Sequence, residues 1–175
     1  MFFYIICILF HIYNIEHLEA EIMTYKTHLF KKADSILCEF NITSDFTITS
    51  TSGFGNTIPV NTTSGDGKIT VSNNVITLPQ GYQFLVKFYT AIERASIATY
   101  IYTELKYSDG TDIPNSTLST ITGTGGNASS IEDTTAIIDT LNGNKHIIVK
   151  TYKSNSSTVT VKKDFTYGYI IGFKK

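Results

Sequence analysis

Four histidines, two cysteines and fifteen acidic residues are the groups in this 175-residue chain that could hold a metal or move a proton. His11, His17 and His28 fall early, and His146 stands alone in KHIIVKTYK (145–153). None has a partner at the HxxxH spacing that puts two imidazoles on one metal. Cys7 and Cys38 make neither a CxxC pair nor a disulfide framework; they read as small buried apolar side chains, with a single Cys7–Cys38 bridge as the alternative. Asp109 and Asp112 in DGTD offer oxygens to calcium but lack the other ligands of an EF-hand loop, so a hairpin turn is predicted there. Glu132 and Asp133 read as loop residues, and nothing selects a carboxylate pair for glycoside hydrolysis. GTGG (123–126) lacks the lysine of a P-loop and the third glycine of GxGxxG, which leaves a flexible loop. With no Ser-His-Asp or Cys-His arrangement either, the expectation is a non-enzymatic chain with no catalytic residue, metal or cofactor.

Charge points the same way. Basic and acidic residues number 14 and 15, net charge is −1, and Arg94 is the one arginine. Such a chain has no basic stripe for a phosphate backbone, so nucleic acid is not an expected partner. The aromatics remain. Tyr100, Tyr102 and Tyr152 fall on strand faces opposite the aliphatic positions, which suits a sugar-stacking surface, a receptor surface or packing between subunits.

The elements that must position these residues are strands. FTITS (46–50), TIPV (57–60), KITV (68–71) and VITL (75–78) are short, β-branched and separated by turn signals. In YQFLVKFYT (82–90), Tyr82, Phe84, Val86 and Phe88 share a face, with Gln83 and Lys87 opposite. SIATYIYTELKY (96–107) sets Ile97, Ile101 and Leu105 against the tyrosines, Glu104 and Lys106. A glycine-rich loop or weak edge strand is predicted over 115–130, then strands at 134–141, 145–153 and 158–162. In the closing FTYGYIIGFKK (165–175), period two sorts Phe165, Tyr167, Tyr169, Ile171 and Phe173 from Thr166, Gly168, Ile170 and Gly172. The large residues are expected to be buried, the glycines to lie where a neighbour approaches closely, and the strand to be central. No βαβ spacing occurs, so the fold class is all-β, a sandwich, jelly roll or barrel.

Residues 1–22 read as an apolar leader or a mis-assigned start ahead of Met23, and 23–35 as a separate N-terminal segment. The dozen apolar residues of MFFYIICILFHIY are too few for a bilayer span and have no basic residue before them. Asn-x-Ser/Thr triplets begin at Asn41, Asn61, Asn115, Asn127 and Asn155, an excess too small to establish a secretory route.

The order of three stretches resembles the C1q/TNF-like jelly roll: ITLPQGYQFLVKFY (76–89), TTAIIDTLNGNKHIIVKTYK (134–153) and FTYGYIIGFKK (165–175). The resemblance covers 36–175, the jelly-roll domain, behind a short N-terminal extension. It implies a homotrimer with the last strand near the threefold axis. The interface residues then expected are Tyr100, Tyr102, Tyr152, Tyr167, Tyr169 and Phe173. The same jelly roll is similar to trimeric head fibres and spikes of phages and viruses, a setting that fits the Thr/Asn/Ile/Lys-rich composition. It implies a virion-surface fibre or capsid decoration protein, attached to a capsid protein through the N-terminal segment and facing a host glycan or receptor. The alternative is a secreted carbohydrate- or receptor-binding module.

Overall fold

The computed structural model describes residues 35–51, 55–94, 99–117, 119–123 and 129–175. The expectations for His11, His17, His28, Cys7, Ile97, Gly126 and Asn127 lie outside them, as do those for the leader and most of the N-terminal segment. Ser35, expected to close that segment, is the first residue of a strand.

In chain order the strands are β1 (Ser35–Asn41), β2 (Phe46–Thr47), β3 (Asn56–Thr57), β4 (Asn61–Gly65), β5 (Thr70–Ser72), β6 (Val75–Leu78) and β7 (Tyr82–Arg94). They continue with β8 (Thr99–Tyr107), β9 (Ser119–Gly123), β10 (Ser129–Asp139), β11 (Lys145–Lys153), β12 (Val159–Val161) and, after a 3-10 turn, β13 (Tyr167–Lys174). All pairings are antiparallel.

β7 is the spine of the first sheet. One edge pairs with β10 from Gln83 to Glu93. The other edge is shared, with β13 along Tyr82–Tyr89 and β12 along Ile92–Arg94. From β13 the sheet continues to β1 and β4, and from β12 to β2. The second sheet runs β5-β6-β11-β8-β9, with β3 beside β6 on the same edge of β11. The chain crosses between sheets at every step from β2 to β5, then from β6 to β7, β7 to β8, β9 to β10, β10 to β11 and β11 to β12, so neither sheet is a simple meander. The β5–β6 hairpin closes on Asn73-Asn74, both at positive φ (51° and 64°), the two-residue turn whose twist matches its flanking strands.

Alternate residues of each strand fill the space between the sheets. Ile36, Cys38 and Phe40 enter from β1, and Phe84, Val86 and Phe88 from β7. Ile101 and Leu105 on β8, Ile147 and Val149 on β11 and Ile138 on β10 meet them. Phe40 and Phe88 stack with ring centroids 5.6 Å apart.

Two expectations change, and one strand was not foreseen. β13 is central, between β7 and β1, but its faces are reversed: Thr166, Gly168, Ile170 and Gly172 point into the core, and the aromatics point out. The reason is volume. A Cβ on Gly168 would lie 2.8 Å from the Lys87 carbonyl oxygen and run into the Phe40 ring; one on Gly172 would lie 2.9 Å from Ile36 and run into Phe84. Glu132 and Asp133 sit on β10 rather than in a loop, because β10 pairs with β7 over its whole length. The polar strand β4, exposed throughout, gave no apolar alternation by which to foresee it.

Two ion pairs tie loops and the chain end to this frame. Asp45 takes the Lys162 ammonium and the Lys163 N–H; Asp139 takes the Lys175 ammonium at 2.8 Å and the Leu141 N–H at 2.8 Å. The lysine hydrogen bonds, with the backbone donors second, hold both carboxyls below the usual aspartate range. Aspartates depressed in the folded state stabilise it above the unfolded value of about 3.9 and lose that contribution as pH falls through the folded value. The thermal midpoint is therefore expected to hold between about pH 5 and 7 and to drop below about pH 4. In Asp139→Asn the fall should be shallower; an identical acid profile counts against the contribution. Gly172→Ala should destabilise by about 1–3 kcal/mol through overpacking, read as a lower denaturant midpoint. An unchanged midpoint would contradict the packing described.

Candidate functional site

The outer face of the β4-β1-β13-β7-β10 sheet carries what the core does not use. Register places Leu37, Ile171, Leu85 and Ile137 side by side on β1, β13, β7 and β10. With strands about 4.8 Å apart, these four make an aliphatic row roughly 14 Å long. Leu37 is 45% exposed and Ile137 61%. Phe173, 50% exposed, extends the apolar surface one pleat further along β13.

Beyond the row in the other direction lie aromatics around one ion pair. Tyr89 stacks on Tyr167 at 4.8 Å and meets Tyr169 at 6.4 Å. Lys87 pairs with Asp133 at 3.0 Å and lies over the Tyr89 ring, 5.2 Å from its centroid. The hydrogen bond to Asp133, and then that to Tyr89, raises the Lys87 ammonium above its ordinary range, so its charge is fixed at every physiological pH. The Tyr169 hydroxyl is also pushed up, chiefly by burial. Further along β7 the face ends in an open groove of about 650 Å³ lined by Ala91, Glu93, Ile131, Lys162, Asp164 and Phe165.

The opposite outer face, on the second sheet, holds a ladder of tyrosines. Tyr102 stands between Tyr152 (4.6 Å, planes 18° apart) and Tyr100 (6.5 Å, 22°). The closer stack covers part of the Tyr102 and Tyr152 rings, while Tyr100, 51% exposed, remains open to solvent. Glu104 and Lys106 (3.3 Å) follow along β8, and Lys106 also holds Asp112 at 2.7 Å. Burial pushes the Tyr152 hydroxyl up.

The six aromatics selected from sequence therefore fall on two opposite surfaces. Tyr167, Tyr169 and Phe173 share the first face, and Tyr100, Tyr102 and Tyr152 the second. Sequence reasoning missed Leu37, Leu85 and Ile137. Their signal was present: ILC (36–38), FLV (84–86) and AII (136–138) each place an apolar residue on the face that alternation reserves for polar ones.

The residues considered for chemistry are spread out. His146 is exposed on β11 with Nδ1 3.1 Å from the Thr77 hydroxyl. Asp109 accepts the Thr111 N–H at 2.9 Å and its hydroxyl at 2.7 Å, bonds that lower its carboxyl and define a turn. Cys38 is buried in the core, and burial pushes its thiol up. Among the described residues no three His, Cys, Asp or Glu side chains converge on a metal position, and no helix is long and apolar enough to cross a membrane.

No family model and no curated protein sequence matches the chain. Solved structures do. Murine APRIL at pH 5.0 is similar with a TM-score of 0.56 and 6% identity, covering 79% of this chain and 98% of that one. Eiger TNF from S. frugiperda gives a TM-score of 0.55 and 6% identity, covering 82% of this chain and 93% of that one. Identities this low speak to fold alone, and with the two antiparallel sheets they establish it: residues 35–175 form a C1q/TNF-like jelly roll.

Proposed function

We propose that this chain is a non-enzymatic structural module that assembles as a homotrimer through the outer face of the β4-β1-β13-β7-β10 sheet, and that it serves as an attachment protein. The observation that carries this reading is the row Leu37–Ile171–Leu85–Ile137. Four aliphatic side chains aligned across adjacent strands, flanked by Phe173 and the Tyr89–Tyr167–Tyr169 cluster, are costly to leave in water and favourable to bury against a second copy. The trimer implied by the C1q/TNF-like resemblance supplies such a partner. The finer setting, a phage or viral fibre or capsid decoration protein on the virion surface, is supported by the Thr/Asn/Ile/Lys-rich composition. In it the N-terminal segment engages a capsid protein and the far loops meet a host glycan or receptor.

A second reading, a secreted carbohydrate- or receptor-binding module, would use the tyrosine ladder. Stacking of Tyr102 on Tyr152 counts against sugar stacking on those two rings.

Light scattering of the full-length chain should give about three times the 19.4 kDa protomer mass. Ile137→Lys should give one protomer mass with an unchanged circular dichroism spectrum and a stability within about 0.5 kcal/mol, as expected of an exposed position. Tyr102→Ala should leave the mass at the trimer value. A monomeric parent would remove the trimer reading and bring the ladder forward.

A further inference from the structure

Along the outer face of the first sheet the charges are paired, with one exception. Lys87 is taken by Asp133 at 3.0 Å, and Asp139 by Lys175 at 2.8 Å. Glu93 is held at 3.2 Å by Lys162, which also holds Asp45. On β13 the face carries Tyr167, Tyr169, Ile171 and Phe173, none of them charged. β1 contributes Glu39, an exposed carboxylate that accepts the Ser64 hydroxyl at 2.6 Å and forms no ion pair among the described residues. Along β1 it stands between Leu37 of the aliphatic row and Asn41, while Cys38 points into the core. Across the sheet it is in register with Tyr169 on β13 and Ser64 on β4. Beyond Tyr169, Lys87 on β7 lies about 10 Å from it, two strand spacings away. Past β4 lies a second exposed carboxylate, Asp66, whose N–H donates to the Leu37 carbonyl and whose Oδ1 accepts the Lys68 N–H. The one histidine among the described residues, His146, is on the second sheet.

A carboxylate beside an aliphatic row becomes costly when the row is covered. Taking it out of water without a cation disfavours its charged form and favours the protonated one. Another copy has no spare cation to offer from the same face, because Lys87, Lys162 and Lys175 are each engaged within their own protomer. We propose that Glu39 takes up a proton when copies of this chain assemble, so that acidification tightens the assembly; this rests on the assembly face proposed above. The sign follows from linkage. A carboxyl that holds its proton more firmly in the assembled state favours assembly at low pH, and the contribution is lost as pH rises through the assembled-state value. Each protomer adds at most one proton, which is up to about tenfold in affinity per pH unit. The folding contributions of Asp45 and Asp139 are lost only below about pH 4, so the effect is separate from unfolding.

The test is sedimentation equilibrium of the full-length chain over a dilution series at constant ionic strength, at about pH 7.5 and about pH 5.5. The midpoint concentration for assembly should fall by about tenfold or more at the lower pH. Glu39→Gln keeps an acceptor for the Ser64 hydroxyl and removes the charge. It should assemble at the higher pH as tightly as the parent does at the lower, with no remaining dependence, whereas Asp66→Asn should keep the parent's dependence. A trimer with equal midpoints, a dependence that survives in Glu39→Gln, or one of opposite sign would overturn the proposal and leave the assembly face standing. The opposite sign would mark a cation supplied to Glu39 by another copy. A monomer at both pH values overturns the face and the proposal together. Should the parent stay assembled at every dilution, subunit exchange between unlabelled and heavy-isotope-labelled chains, followed by native mass spectrometry, decides. Exchange slower at the lower pH in the parent and equal at both in Glu39→Gln supports the proposal, and any other pattern rejects it.

Discussion

Two aromatic rings on two glycines set the arrangement of this molecule. Phe40 and Phe84 lie against β13 where Gly168 and Gly172 have no side chain, and any Cβ there would meet ring, side-chain or backbone atoms. Because a strand has period two, fixing the glycines inward fixes Tyr167, Tyr169, Ile171 and Phe173 outward. One packing contact thus shapes the core and the apolar outer surface together. Without it, β13 could turn over and bury its aromatics, and the sheet would present glycines to the outside.

Much of the fold could be read from the chain. Turn chemistry at Asn73-Asn74 and Asp109-Gly110 and the alternation in YQFLVKFYT and KHIIVKTYK marked strands that the structure keeps, KHIIVKTYK at the same bounds and YQFLVKFYT extended by four residues to Arg94. What failed was the choice of face for the last strand. Period two says which residues go together but not which set goes inside, and large aromatics facing glycines invite the wrong choice. The answer depended on Phe40 and Phe84, far away in sequence, needing room. The candidate site was legible only in part, for a related reason. Leu37, Leu85 and Ile137 look like irregularities within their own strands. They become a row only through the register of four strands, which no single stretch encodes.

The two outer faces differ in physical character. On the second sheet, Tyr102 and Tyr152 stack on one another, Tyr100 stands next along β8, and the Glu104–Lys106 pair follows, a surface at ease in water. On the first, aliphatic side chains lie exposed in a line and the one central ion pair, Lys87–Asp133, is internal to the protomer. A charge pair closed within the protomer can be covered by another copy without stranding either partner, while Glu39, on the same face beside Tyr169, is held by the Ser64 hydroxyl.

The pairing of β1 with β13 has a consequence in time as well as in space. β1 is the first described strand made and β13 the last, yet each is the other's neighbour, and β13 also fills most of one edge of β7. During synthesis β1 and β7 must wait with open edges until the final strand emerges, a non-local closure of the kind that makes β-sandwiches slow to fold. The aliphatic row is complete only once Ile171 lies between Leu37 and Leu85. A chain on which β13 has not yet docked therefore lacks the continuous row.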